Sequence, residues 1–358
     1  MAPSVLATAA GGQRLKVLLV ASLYKLPYRV LRCAAAAGTE VYVLGDRGAH
    51  GLRLSRHCRQ FFPANNVISG LYDETLAVQI NCMVRDIGIA VVLPGDGPST
   101  RALIACRDQL SAPIFPLPSL ECFDRLNDKW KFTRLCGELG MRHPASRRFD
   151  DAADLVTGCD FGLPAVAKPL SLSGDQGFVL LDGTDTAERL RRINYRPIIV
   201  QEFIPGEDIG ASIFARSGEV TAFIAHHYGR GIYSTFPGDT IFTDLERLTK
   251  HLRLDGCYNF DMRRTAANDI YYLECNPRFF FKIDLSMIAG VNFVALGLPG
   301  REPAASDMIR CHSRVYLPKG LAGSPAHWLA VSRKDLAMAA HLCSDPLPPL
   351  LESIGVLT

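Results

Sequence analysis

Three oxygen-bearing side chains around residue 270 have the types and spacing of a divalent-cation site. Asp261 lies in the segment YNFDM, and Glu274 and Asn276 stand two residues apart in IYYLECN. Because alternate residues of a strand share one face, Glu274 and Asn276 point the same way, and a turn at Ala267-Asn268 brings Asp261 roughly opposite Glu274. Carboxylate and amide oxygens suit Mg²⁺ shared with substrate phosphates. A solvated hairpin face is the alternative interpretation.

Composition narrows the class of protein. The 358 residues are 48% hydrophobic and 21% charged, with a formal net charge of +3. This length allows two or three domains, and the small charge does not favour a nucleic-acid partner. The 11 cysteines form no CxxC pair, which favours reduced thiols in the cytosol over a disulfide framework. The apolar run Leu15–Val20 is too short to span a bilayer, and the first residues lack a signal-peptide pattern. We therefore expect a soluble, cytoplasmic protein with no membrane partner.

Alternating strands and helices are predicted for the first third of the chain. The segments LKVLLVAS, EVYVLGD and GIAVVLPGD are typical of parallel strands buried on both faces, with helical stretches between them. The helix after the third strand is expected around Arg101–Gln109, and APIFPLP is predicted as a further strand. The first turn, ASLYKLPYR, lacks the glycines of a dinucleotide-binding fingerprint, which argues against a nicotinamide-dependent dehydrogenase.

From Leu126 the pattern changes to strands with isolated helices, which is typical of an α+β module. The segment LNDKWKFTRLCGELGM predicts one amphipathic helix ended by Gly140. LPAVAKPL and FVLL predict two strands on either side of the Gly/Ser-rich loop Ser171–Gly177. After about Gly300 the chain is richer in proline and predicts a helix and a tail that packs on the core.

Taken in order, these motifs resemble the ATP-grasp superfamily over residues 15 to about 300. The matching segments are Lys129 in NDKWKF, Lys168 in VAKP, the loop Ser171–Gly177, QEFIPGED, Asp261 and LECNPR. The resemblance implies an α/β plus α+β fold, in which a Rossmann-like N-terminal domain precedes a two-lobed ATP-grasp domain. The implied boundaries are 13–122 for the first domain, 123–300 for the second, with lobes of about 123–200 and 201–300, and 301–358 for a C-terminal tail.

The resemblance also assigns residues that bind ATP. Lys168 is expected at the α- and β-phosphates, where its ammonium serves catalysis as a point charge. Lys129 is likened to the family's other nucleotide lysine, and its neighbour Lys131 stays open as the alternative. The other assigned residues are Ser173, Gly174 and Gly177 in the phosphate loop, Glu202, Phe203 and Ile204 at the adenine, and Asp208 at the ribose, with Glu207 as the competing acid.

Asp261, Glu274 and Asn276 match the Mg²⁺ ligands of the family, which implies two ions bridged by Glu274, with Mn²⁺ as a substitute. Arg278 resembles the arginine that holds the transferred phosphoryl group or the substrate carboxylate in catalysis; a structural salt bridge is the alternative. One departure follows it, because Phe279–Phe281 stands where many relatives have small residues. These rings either pack under the metal hairpin or narrow the substrate pocket.

The function that the resemblance implies is an ATP-dependent carboxylate–amine ligase. It would form an amide through an acylphosphate on a small, amino-acid-like substrate and release ADP and phosphate. The expected partners are the small-molecule carboxylate and amine, and a second copy of the chain, since relatives are often homodimers. A kinase-like phosphotransferase without condensation and a nucleotide-binding regulatory module are the two alternatives. The adjacent His226 and His227 face opposite sides of a strand, so at least one of them is expected to have no catalytic role. His227 or Arg230 is the candidate for lining an acceptor pocket or assisting deprotonation of the amine.

Overall fold

The structure is a computed structural model in which the chain forms two units. The first unit comprises Met1–Leu120, Ala211–Asn259 and Arg278–Thr358, and the second comprises Glu121–Gly210 and Phe260–Pro277. The residues that the structure describes are 14–151, 162–171, 177–183, 186–191, 193–323, 327, 331–353 and 355. The domain boundaries predicted from the sequence stay a prediction.

The first unit begins with a parallel sheet. Its strands are β1 (Lys16–Ala21), β2 (Glu40–Gly45), β3 (Cys58–Pro63) and β4 (Val91–Pro94), and its helices are α1 (Lys25–Ala36), α2 (Glu74–Met83) and α3 (Gly97–Ala105). The strand order is β3-β2-β1-β4, and all pairs are parallel. Residues Val17–Ala21 are fully buried, as expected for a parallel strand covered on both faces. The Rossmann-like N-terminal part is therefore confirmed.

The end of this part differs from the sequence prediction. The segment APIFPLP forms no strand, and only a single parallel bridge joins Ile114 to Val92. Pro113, Pro116 and Pro118 explain the difference, because proline has no N–H to donate to a sheet ladder. The predicted helix at Arg101–Gln109 is also shifted, since α3 ends at Ala105 and a short 3₁₀ turn follows it.

The rest of the first unit is a mixed sheet with helices, and most of its strand pairs are antiparallel. Its strands and helices are β9 (Glu207–Arg216, from Ala211 onward), β10 (Glu219–Gly229), β11 (Ile232–Phe236), β14 (Met308–Ile309), β15 (Ser313–Tyr316), α7 (Asp239–Leu252), α8 (Ile283–Ala289), α9 (Phe293–Leu296), α10 (Pro318–Ala322), α11 (Arg333–Cys343) and α12 (Leu347–Ser353). β10 pairs with β11, and β11 pairs with β15, both antiparallel. The buried ring of Phe279 packs against Phe115, and Phe280 packs against Phe293.

The second unit contains an antiparallel sheet in the order β5-β8-β6-β7. These strands and the neighbouring helices are β5 (Ser146–Phe149), β6 (Ala165–Pro169), β7 (Val179–Leu181), β8 (Ile198–Glu202), α4 (Leu120–Asn127), α5 (Lys129–Glu138) and α6 (Thr186–Arg191). Ala165, Ile198 and Val200 are fully buried at the centre of this sheet's core. The two predicted strands around the Gly/Ser-rich loop, β6 and β7, are confirmed and pair antiparallel. The mixed fold class that the sequence predicts is therefore confirmed.

The predicted single helix at residues 126–140 is wrong, because two helices occupy this stretch. α4 ends at Asn127, and α5 starts at Lys129. Asp128 between them has an extended backbone, and its side chain accepts a hydrogen bond from the N–H of Lys131. An N-cap of this kind satisfies an otherwise unpaired amide and fixes the start of a helix. Lys129 therefore becomes the first residue of a helix.

The predicted hairpin is confirmed as β12 (Gly256–Arg264) and β13 (Ile270–Asn276). Asn268 takes a positive φ of 67° in the turn, a conformation that asparagine tolerates better than most residues. The N–H of Thr265 donates to the carbonyl of Asp269, which closes the turn. Among the described residues, no helix has both the length and the apolar character that crossing a membrane requires.

Candidate nucleotide and metal site

Lys129 is the first residue of α5, and its ammonium forms an ion pair with the carboxylate of Glu274. Its backbone N–H donates to the carbonyl of Leu170, and its side-chain nitrogen lies 3.1 Å from Oε2 of Glu274. Only 6% of Lys129 is exposed. Lys131, the alternative left open by the sequence, is exposed instead. The structure thus brings Lys129 to the predicted metal ligands of the same unit.

The three predicted metal ligands also meet one another. The amide nitrogen of Asn276 donates to Oδ2 of Asp261 at 2.9 Å, and both side chains are half-buried. Burial alone would raise the pKa of Glu274, but the ammonium of Lys129 first, then Lys168 and hydrogen bonding with Asp261, lower it below its ordinary value. Glu274 is therefore a carboxylate at neutral pH, and its negative charge is already matched by cations.

Lys168 comes from β6, where its backbone pairs with Ile199 of β8. Its effect on the pKa of Glu274 places Lys129 and Lys168, the two predicted nucleotide lysines, in one electrostatic environment with the acidic cluster. Of the predicted phosphate loop, Ser173 and Gly174 lie outside the described residues. Gly177 has a φ of 75°, and a Cβ on it would come within 2.7 Å of the Tyr195 ring. Only glycine fits there without strain.

The predicted adenine segment follows β8. The N–H of Phe203 donates to the carbonyl of Pro164 at 3.1 Å, and Glu202, which is exposed, holds Ala145 through its backbone N–H and carboxylate. Within the described part of the chain, the N–H of Ile204 has no acceptor. The Ile204 amide is thus the more available donor of the two for the edge of a purine base.

Sequence reasoning missed Arg263, which organises this segment. Its guanidinium lies over the Phe203 ring, 5.1 Å from the centroid, and donates to the carbonyl of Ile204 at 3.0 Å. It also pairs with Asp208 at 2.8 Å. The one signal for Arg263 in the sequence is its position two residues after Asp261 on the same strand, because alternate residues of a strand share a face.

The competing ribose acids are held in similar ways. Asp208 pairs with Arg263, while Glu207 pairs with Arg264. Both acids are exposed and belong to the start of β9. The geometry of the pairs does not separate them, so Asp208 as the ribose acid stays a prediction.

Arg278 belongs to the first unit. It is 7% exposed, donates to the carbonyl of Phe279 at 2.8 Å, and lies against Gly97 at the start of α3. Its role in catalysis stays a prediction. Of the three phenylalanines after it, Phe279 and Phe280 are buried in the core of this unit and Phe281 is 46% exposed. The first two rings therefore serve packing.

The two adjacent histidines differ as strand alternation predicts. His226 is 1% exposed and stacks on Tyr233 with ring centroids 5.0 Å apart, while His227 is half-buried. Burial, with a smaller effect from the Lys282 ammonium, lowers the pKa of His226 to about 3. His226 is therefore a neutral imidazole in the interior of the first unit.

The donor set of the cluster fits a magnesium ion. Two carboxylates and one amide supply the hard oxygen atoms that Mg²⁺ prefers, and such sites use few protein ligands because phosphates and water complete them. Within the described residues, no group of three His, Cys, Asp or Glu side chains could hold a metal. Asn276, in contact with Asp261, supplies the amide of the predicted set.

Sequence comparisons find similar proteins of the ATP-grasp group. Residues 194–313 match a family model described as ATP-grasp in the biosynthetic pathway with Ter operon. The arginine-specific large chain of carbamoyl phosphate synthase from Bacillus subtilis is 23% identical over 201 residues. That match covers 50% of this chain but only 19% of the longer relative.

Solved structures of low sequence identity share the fold. The L-amino acid ligase from Bacillus licheniformis matches with a TM-score of 0.59 and 16% identity, covering 80% of this chain and 73% of that one. The biotin carboxylase domain of Hydrogenobacter thermophilus 2-oxoglutarate carboxylase, solved with MgADP, matches with a TM-score of 0.62 and 15% identity, covering 84% and 74%. The predicted resemblance to the ATP-grasp superfamily is confirmed, and the chain has the ATP-grasp fold.

Proposed function

We propose that this chain, which has the ATP-grasp fold, is an ATP-dependent ligase that joins a carboxylate to an amine on a small, amino-acid-like substrate. The observation that carries the proposal is the cluster of Lys129, Lys168, Asp261, Glu274 and Asn276 within one unit. The names of the similar proteins agree with it, since they include an L-amino acid ligase and a carbamoyl phosphate synthase.

The proposed reaction has two steps on the substrate. A carboxylate oxygen bonds to the γ-phosphorus of ATP as the bond to ADP breaks, which gives an acylphosphate. The amine nitrogen then bonds to the acyl carbon, the bond to phosphate breaks, and the nitrogen loses a proton to solvent. This chemistry needs charge neutralisation and positioning rather than a protein nucleophile. Lys168 would hold the phosphates, with Lys129 as the second ammonium, and Arg278 would hold the substrate carboxylate or the transferred phosphoryl group.

Asp261, Glu274 and Asn276 would hold the magnesium ions, with Glu274 shared between two of them and Mn²⁺ as a substitute. Bound magnesium neutralises phosphate oxygens as charge shifts during phosphoryl transfer. Before metal binds, Lys129 balances the charge of Glu274. This pairing keeps Glu274 ionised and ready to accept a cation.

The nucleotide base would lie at the segment that follows β8. The N–H of Ile204, the more available donor, would meet the purine, and Phe203 would contribute its carbonyl and ring. Glu202 would lie near the exocyclic amino group. Asp208 would accept hydrogen bonds from the ribose, and Arg263 would fix both Asp208 and the Ile204 carbonyl. The phosphate loop with Ser173, Gly174 and Gly177 would cover the phosphates.

The experiment is a measurement of ADP and phosphate release from Mg-ATP with a panel of amino and carboxylic acids, each with and without amines. Release that requires both a carboxylate and an amine, with a condensed product by mass spectrometry, supports the ligase. A phosphorylated product without condensation would replace the ligase by a kinase-like phosphotransferase. Mg-dependent ATP binding without turnover of any panel member would favour the regulatory module. Glu274→Gln serves as the inactive control and Glu246→Gln, at an exposed position of α7, as the matched surface control.

A further inference from the structure

An open cleft of about 740 Å³ lies in the first unit, between β11, β15 and the start of α11. Arg314 of β15 stands opposite Ser234 of β11 in the antiparallel register. The N–H of Tyr316 donates to Oδ1 of Asp335, which ties α11 to β15. The volume is within the range of about 300–1,000 Å³ that small-molecule sites have.

The cleft is lined by cations that lack acidic partners. Arg314 and Arg333 are exposed, and within the described residues neither side chain has a hydrogen bond or an ion pair. Lys334 is half-buried, and its ammonium donates to Oγ of Ser313 at 2.7 Å and to the carbonyl of Ala289 at 2.9 Å. Its hydrogen bonds are all to neutral groups, so its positive charge is not cancelled.

Asp335, the one carboxylate among the lining residues of the cleft, already accepts hydrogen bonds from the protein. Asp335 is 3% exposed and accepts hydrogen bonds from the N–H of Tyr316, from the N–H of Ser332 and from the Ser332 hydroxyl, each at 2.6 Å. Arg314, Arg333 and Lys334 together with Asp335 give these four side chains of the lining a net charge of +2. Among the described residues, nothing pairs with the two exposed guanidinium groups, which leaves their donors for a ligand.

The positive charges of Arg333 and Lys334 do not stabilise α11, the helix that carries them. Arg333 and Lys334 occupy the first turn of α11, where the helix dipole disfavours positive charge. The Ser332–Asp335 capping box accounts for the first amides of α11 without them. Cations placed against the dipole, beside Arg314 and with no carboxylate to meet, suit an anion that comes from solution.

We propose that this cleft binds a small phosphate-bearing anion. A phosphate monoester carries a charge of about −1.5 to −2 at neutral pH and three strong acceptor oxygens, which matches a lining of charge +2. The planar guanidinium groups of Arg314 and Arg333 can each donate two hydrogen bonds to it. None of the lining residues is among those proposed for ATP or magnesium, so this is a second anion site beyond the proposed ligase function.

The test is calorimetric titration of pyrophosphate in EDTA into the wild-type chain and three variants. The double variant Arg314→Gln/Arg333→Gln removes the two exposed cations, and Arg53→Gln removes an exposed arginine of the same unit outside the cleft. Lys168→Ala weakens the proposed nucleotide site. We expect binding to persist in Lys168→Ala and Arg53→Gln and to weaken about a hundredfold in the double variant, since each charge-assisted hydrogen bond is worth about tenfold in affinity or more.

Four outcomes would overturn the proposal. Wild-type protein that binds no pyrophosphate at millimolar concentration lacks the site. Equal losses in Arg53→Gln and the double variant would reveal general attraction to a basic surface, and loss in Lys168→Ala alone would assign the pyrophosphate to the nucleotide site. A parallel titration with tricarballylate separates phosphate from carboxylate recognition, because equal affinity for both would remove the phosphate class. Arg314 and Arg333 are exposed, and unchanged thermal unfolding of the double variant confirms that its fold is intact.

Discussion

The ammonium of Lys129 lies 3.1 Å from a carboxylate oxygen of Glu274, although 145 residues separate them along the chain. One is a predicted nucleotide lysine and the other a predicted bridging metal ligand. Both are largely shielded from water, so their attraction is stronger than that of a surface pair. A change at either residue therefore alters the charge balance of the other. With the two predicted roles, binding of nucleotide and binding of metal would be coupled through this pair.

Glu274→Gln should abolish most turnover. The variant keeps the size of the side chain but removes the negative charge that magnesium needs, and loss of a cation that stabilises by several kcal/mol lowers the rate on the order of a hundredfold or more. Lys129 would also lose its partner, which we expect to cost about 1–3 kcal/mol of the free energy of unfolding. ADP release and urea unfolding measure the two effects.

The control for this prediction is Glu246→Gln, which changes the same chemistry at an exposed position of α7. It should leave both ADP release and unfolding unchanged. Wild-type rates in Glu274→Gln would show that the metal lies elsewhere, whatever happens to stability. Loss of stability without loss of activity would leave Glu274 with a structural role only.

Lys168→Met should weaken nucleotide binding more than it changes the fold. Methionine keeps most of the apolar stem while removing the ammonium, and the loss of charged hydrogen bonds to phosphate should raise the Kd for ATP about tenfold to a hundredfold. The measurement is ATP titration of the folded variant, with thermal unfolding as a check. Lys250→Met, at an exposed position of α7, is the matched control, and an unchanged Kd in Lys168→Met would move the phosphate contact to another residue.

Local signals explain which elements the sequence predicts well. Continuous apolar runs indicate β1, β2 and β4, because a parallel strand covered on both faces has no polar side. The hairpin of β12 and β13 is predicted because Asn268 favours the left-handed turn that it adopts at a φ of 67°. In both cases the deciding interaction lies within a few residues of the signal.

Long-range contacts and competing local signals explain the rest. The contacts of Arg263 with Phe203 and Asp208 join positions about 55–60 residues apart, and no periodicity within one strand reveals such a partner. The sequence predicts one helix here because the apolar periodicity continues through the break between α4 and α5. Asp128 is the local signal for the break, since it caps α5 by accepting a hydrogen bond from the N–H of Lys131, three residues later. The apolar residues around Ile114 favour a strand, but the prolines among them prevent it because proline has no N–H to donate to a sheet.

Asp208→Asn should weaken ATP binding more than Glu207→Gln does. A ribose contact would use the carboxylate of Asp208, and its loss should raise the Kd for ATP about tenfold. The same substitution should have little effect on the binding of an ATP analogue that lacks both ribose hydroxyls, because the lost contact is absent there. Titrating both nucleotides into both variants measures the difference.

Each acid has its own arginine, which gives the controls for this comparison. Arg263→Gln releases Asp208 together with the Ile204 carbonyl, whereas Arg264→Gln releases Glu207. If Asp208 meets the ribose, Arg263→Gln weakens ATP binding and Arg264→Gln does not. The opposite pattern, with the larger loss in Glu207→Gln and Arg264→Gln, would assign the ribose to Glu207.

His226 should make the stability of the chain depend on pH in the acid range. Its pKa is lowered to about 3 in the folded state, by burial and by Lys282, with a smaller effect from His227, while a hydrogen bond with the Ile224 backbone opposes the shift. An unfolded histidine titrates near 6.5. Between these values the unfolded state binds more protons than the folded state, so stability falls as the pH falls. The contribution of His226 is fully present above about pH 6.5.

The measurement is urea unfolding of wild type and His226→Phe at pH 7 and pH 5. Phenylalanine keeps the ring that stacks on Tyr233 and cannot titrate. From pH 7 to 5, wild type should lose about 2 kcal/mol more than His226→Phe, at about 1.4 kcal/mol for each pH unit below the unfolded pKa. His251→Phe, at an exposed position of α7, should lose as much as wild type. Equal losses in wild type and His226→Phe would mean that His226 accepts a proton in the folded state, contrary to this prediction.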